Sequence, residues 1–130
     1  MEKRLKARSW AGKPDIVTQL RREVRVGMLT GHISGVHIAA RLGMSRRTLH
    51  RRLVDHGVTF QQISDETRCE CARQLLAQTR LSIGRIGLVV CYRDPSVFTR
   101  AFIRWAGMTP SEWRLQITKS GKHVVSLKNG

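Results

Sequence analysis

A chain of 130 residues holds one domain or two very small ones. Its 24 lysines and arginines against 9 aspartates and glutamates give a formal charge of +15, which makes nucleic acid the first partner class and an anionic membrane surface the second. There is no apolar run of the roughly 18 residues that a spanning helix needs, the basic start MEKRLKARSWAG lacks the apolar core of a secretory signal, and three cysteines, an odd number, fit a reducing cytoplasm better than a disulfide framework.

Residues 1–13 read as a basic arm. The spacing of Ile16, Leu20, Val24 and Met28 predicts a first helix from about Pro14 to Leu29, with Pro14 in its first turn and Gly31 as its stop. A second start signal follows. Ser34 is placed to cap a short helix, and Ile33 and Ile38 stand at the two positions of a hydrophobic staple. That helix ends at Gly43. Ser45 caps the next, which runs to about Asp55, and the pair forms a helix-turn-helix unit over 14–58.

Residues 59–80 carry no net charge and read as one long linker helix, opened by the capping box of Thr59 and Gln62. Phe60, Ile63, Thr67, Cys71 and Leu75 form its predicted stripe, with Ala72 and Leu76 beside it. About 19 residues at a rise of 1.5 Å span roughly 28 Å.

The first pattern then returns over 81–117. Leu81, Ser82 and Ile86 repeat Ile33, Ser34 and Ile38, and Phe98 and Phe102 repeat Leu49 and Leu53. Asp94 caps the next helix with Pro95 at its first position, Gly107 echoes Gly57, and TPSEW is a capping box for a short last helix. Residues 118–130 are a basic tail whose only strand signal is HVVSL at 123–127. The fold class expected is all-α: two helix-turn-helix subdomains joined by a linker helix.

These residues carry a resemblance. IAARLGMSRRTLHRRL, a linker helix and then DPSVFTRAFIRWAGMTPSEWR look like the DNA-binding domain of the AraC family of bacterial transcription regulators. The match covers about residues 15–116, and the second half is its most specific part. The resemblance implies about seven helices, with two recognition helices in successive major grooves of double-stranded DNA. RNA polymerase is an implied partner and the cytoplasm the implied location; no cofactor or metal is implied. Carried over by position, Arg47, His50 and Arg51 would read bases in the first unit, and Ser96, Thr99 and Arg100 in the second. Ser45, Arg46, Thr48 and Arg52 would meet phosphates. Most family members carry a further sensor or dimerisation domain, for which residues 1–30 are too few. The chain is therefore expected to act as a monomer on DNA if stand-alone, with a dimer possible if it is a fragment.

The second unit departs from the first. Gly84 and Gly87 sit inside a helix, where each costs up to about 1 kcal/mol against alanine. Cys91 stands where the first unit has Gly43, and a left-handed turn there would cost a cysteine roughly 1–2 kcal/mol. The second unit is thus expected to be the softer one, and Gly87→Ala and Cys91→Gly to stabilise it.

Other chemistries fit less well. Cys69 and Cys71, two apart on a helix, point about 200° from each other and cannot grip one metal, so buried thiols are expected. His32, His37 and His56 read as scattered surface or turn residues. Trp105 and Trp113 are expected to pack with Phe102 rather than stack on bases. Ser45, His50 and Asp55 could be threaded into a triad, but the outer two lie roughly 15 Å apart along a helix, so no catalysis is read. A basic RNA-binding or ribosome-associated protein is the alternative; it would share the charge without needing two capped repeats.

Overall fold

The computed structural model describes residues 15–120, which form seven helices: α1 Ile16–Thr30, α2 Gly35–Arg41, α3 Arg46–Val54, α4 Phe60–Gln78, α5 Ile83–Val89, α6 Pro95–Ala106 and α7 Pro110–Ser120. No strand occurs among them. The basic arm, Pro14 and the HVVSL segment lie outside the described residues. The cap of α1 is Asp15, which accepts a hydrogen bond from the Thr18 amide, and that bond holds its carboxyl below the usual range.

The other caps stand where the sequence puts them. Ser34, Ser45, Thr59, Ser82 and Asp94 each accept a backbone amide of the first turn with their side chains. The capping boxes of Thr59 with Gln62 and of Thr109 with Glu112 are both closed. Of the two staples, Ile33 packs on its core, whereas Leu81 stays 37% exposed and Ile83 takes the packing role in the second unit.

Two cores result. Ile16, Leu20, Val24, Ile38, Ala39, Leu49, Leu53 and Ile63 form the first. The second gathers Cys69, Ala72, Leu76, Ile86, Val90, Tyr92, Phe98, Ala101 and Phe102, with Trp105 and Trp113 set edge-on to Phe102 at 5.6 and 6.5 Å. Helix α4 supplies both, and Met28 at the end of α1 reaches the second. The linker helix is therefore a shared spine with α1 packed along it. This changes the predicted stripe. Ile63, Thr67, Ala72 and Leu76 are buried, but so are Ser64, Arg68, Cys69 and Ala77, because neighbours cover α4 on more than one side. Cys71 and Leu75 are only half-buried.

The repeat is structural down to its hydrogen bonds. In the first turn the Met44 amide donates to the Ala39 carbonyl at 3.0 Å; in the second, Tyr92 donates to Gly87 at 2.8 Å. Gly43 has φ 74° and Cys91 has φ 72°, the left-handed value that a β-carbon resists.

The two glycines of α5 behave differently. A β-carbon on Gly84 would meet nothing within 4 Å, so Gly84→Ala is expected to raise stability by about 0.5–1 kcal/mol. A β-carbon on Gly87 would lie 3.0 Å from the Phe98 ring. The expected gain from Gly87→Ala is therefore withdrawn: Phe98 fills the space that Ala39 fills in the first unit. Cys91→Gly should still stabilise, by about 1 kcal/mol, as the positive φ is relieved and only a weak 3.6 Å thiol contact to the Met28 carbonyl is lost. Denaturant midpoints of Gly84→Ala and Cys91→Gly measure both; a fall in either would contradict this account.

Candidate nucleic-acid interface

Helix α3 buries Leu49 and Leu53 and turns its charge outward. Arg46, Arg47, His50, Arg51 and Arg52 are all exposed. The physical reason is the 3.6-residue period: with leucines four apart locked in the core, the intervening cations have only solvent to face. Ser45 and Thr48 are engaged with each other. The Ser45 hydroxyl accepts the Thr48 amide and donates to the Thr48 hydroxyl, both at 3.1 Å, which leaves the Thr48 hydroxyl proton and the first backbone amides of α3 as donors for any ligand.

Helix α6 repeats the arrangement with fewer charges. Phe98 and Phe102 are buried, Ser96 and Arg100 exposed, and Thr99 half-buried. The Ser96 hydroxyl and amide both donate to Asp94, at 2.8 and 2.9 Å, and hold its carboxyl below the usual range. Ser96 thus spends its proton within the cap, while Arg100 keeps its full set of donors. The structure brings Arg47, His50 and Arg51 together on one helix and Ser96, Thr99 and Arg100 on another, each at the equivalent place after the same turn.

Not every cation belongs to this surface. Arg21 pairs with Glu66, Arg41 with Glu23, Arg73 with Glu70 and Arg104 with Asp65. Two others terminate helices. Arg68, only 6% exposed, donates to the Val90 and Cys91 carbonyls at 2.8 and 2.6 Å and lies 3.7 Å over the Tyr92 ring. Arg114 reaches the Leu76 carbonyl in the last turn of α4 and the Thr79 and Leu81 carbonyls just after it, and burial lowers its pKa. Sequence reasoning missed both, because the carbonyls they serve lie 22 residues or more away. The one available signal was the neutrality of the 59–80 segment, which hinted that its charges serve the protein itself.

Two of the three thiols are held protonated. Burial pushes Cys69 up to about 12 and raises Cys71 as well, so neither is a thiolate at neutral pH. Tyr92 is raised too, by burial and by donating its hydroxyl to Asp65 at 2.6 Å. His32 and His37 are not scattered: their rings lie 4.8 Å apart. Among the described residues no three histidine, cysteine or acidic side chains converge to hold a metal ion, and no helix is long and apolar enough to cross a membrane.

Comparison with known proteins places this geometry. A family profile described as a helix-turn-helix domain matches residues 38–116. The HTH-type transcriptional regulator VqsM of Pseudomonas aeruginosa is 39% identical over 79 residues, 61% of this chain and 24% of that protein. The ornithine utilization regulator of the same organism is 37% identical over 103 residues, 71% of this chain and 30% of its own length. The chain thus spans about a quarter to a third of the curated relatives it matches. A DNA-binding transcriptional dual regulator from Escherichia coli K-12 superposes with a TM-score of 0.76 at 26% identity, over 84% of this chain and 97% of that structure.

Proposed function

The chain belongs to the AraC-type helix-turn-helix family, and from that premise we propose that it is a sequence-specific regulator of transcription that sets α3 and α6 into successive major grooves of duplex DNA. The observation that carries this is the duplicated unit. Two helices follow the same left-handed turn, each buries its leucines or phenylalanines, and each presents arginine outward. A merely adhesive basic protein has no use for that duplication. Arg47, His50 and Arg51 read bases in one half-site, and Thr99 and Arg100, with Ser96 beside them, in the other; an arginine takes both acceptors of a guanine edge. Arg46 and Arg52 on the flanks of α3, and the Ser45 and Thr48 start of that helix, meet phosphates. The protein acts as a binder and not as an enzyme, in the cytoplasm and beside RNA polymerase.

Selection of bound sites from random duplex DNA tests this reading. Two conserved blocks about one helical turn apart, roughly 34 Å, are expected. Single-stranded or folded RNA should compete poorly; equal competition would favour the RNA-binding alternative. On the selected duplex, Arg51→Ala should cost about 1–3 kcal/mol of binding, and clearly less on random DNA. Equal losses on both would reassign Arg51 to phosphate.

A further inference from the structure

A groove of about 840 Å³ lies between the starts of the two recognition helices. His32, His37, Arg46 and His50 line it from the first unit, Arg68 from α4 and Arg93 from the second unit. None of the described residues lining it is a carboxylate. Arg21, Arg41, Arg73 and Arg104 pair with carboxylates outside the groove, whereas among the described residues the arginines of α3 and Arg100 of α6 do not. Here, among the described residues, Arg46 and Arg93 have no ion pair. Three arginines and three imidazoles on one space, with no carboxylate among its described lining residues, favour an anion there.

The local structure keeps these groups in place. The Ser34 hydroxyl holds His37 Nδ1 at 2.6 Å, which leaves Nε2 for a ligand, and the His32 ring leans on that of His37. Arg41, paired with Glu23, donates to the His32 carbonyl and steadies the loop. The Arg46 stem crosses Gly35 so closely that a β-carbon there would sit 3.3 Å from Nε. Position identifies the anion. His50 belongs both to the groove and to the expected base-reading set, so the groove opens on the face that α3 offers to DNA. Arg93 immediately precedes Asp94, the cap of α6. Backbone leaving one major groove for the next must pass between these two helix starts. Arginine and imidazole donors contributed by several elements suit a chain of phosphates, whereas a single small anion would engage only a few of them.

We propose that this groove clamps the phosphodiester backbone bordering the minor groove between the two half-sites. The proposal rests on the functional reading above, and one experiment separates the two. A duplex recovered by selection is prepared with uncharged methylphosphonate linkages either at its centre or in its flanks, and binding is measured for the whole chain and for the double variant His37→Gln, Arg93→Gln. Central neutral linkages should weaken the wild type about tenfold, as lost phosphate contacts do. The double variant should lose a similar factor on the unmodified duplex and then be indifferent to central linkages. Its preference for selected over random DNA and its sensitivity to flank linkages should persist. Central linkages that cost nothing, or cost both proteins equally, overturn the clamp. Saturation of the DNA-free protein's histidine NMR signals by low-millimolar inorganic phosphate, with central linkages silent, assigns the groove to a free anion and also overturns it. A wild type with no preference for the selected duplex overturns the functional reading instead.

Discussion

Replacing Arg68 with methionine should destabilise the protein by about 2–4 kcal/mol and loosen the second recognition helix before the first. Methionine keeps much of the stem's volume but removes the guanidinium that serves the Val90 and Cys91 carbonyls. A buried carbonyl left without a donor costs about 1–3 kcal/mol, and the contact over the Tyr92 ring is lost as well. Relief from burying a cation offsets part of this, which keeps the expected value below the simple total. The consequence is local because both carbonyls belong to the turn that aims α6. Arg68→Lys should recover only part of the loss, since one ammonium cannot reproduce the fork. Denaturant unfolding gives the stability, and amide exchange in 82–92 against 34–44 gives its location. A loss under about 1 kcal/mol, or faster exchange spread evenly over both units, would show that the guanidinium does not hold the turn.

Binding to duplex DNA should fall by about 10³–10⁴ between 50 and 200 mM salt. About 5–8 phosphate contacts are expected for two inserted helices, and each contributes about 0.9 to the log–log slope. Arg46, Arg52 and Arg93 flank the base-reading Arg47, Arg51 and Arg100, and these six exposed cations together displace counterions on that scale. The full charge of +15 is the wrong basis for that number, since Arg68 and Arg114 are committed to carbonyls and four other arginines to carboxylates. A slope shallower than about −2 would be incompatible with two inserted helices.

Local rules made most of the fold legible. A cap, a staple and a glycine turn each depend on residues within about five positions, and the repeat allowed one unit to check the other. The same comparison exposed the left-handed Cys91, since the backbone there copies Gly43. What stayed hidden depends on distant partners. Nothing near Arg68 says that its carbonyls are at 90 and 91, and nothing near Tyr92 says that its hydroxyl meets Asp65. The outer faces of α3 and α6 follow directly from periodicity. The convergence of His32, His37, Arg46 and Arg93 does not, because it depends on how the two units are set on their shared spine.

The exchange of bulk between α5 and α6 bears on how such a regulator can be re-targeted. Ala39 and Leu49 divide the space in one unit; Gly87 and Phe98 divide the equivalent space in the other. A chimera that grafts the α3 sequence into the place of α6 would set Leu49's side chain against Gly87 and leave a void. The reverse graft would drive a phenylalanine onto Ala39. Each recognition helix is therefore portable only together with its supporting helix, and the exchangeable module of this protein is the pair.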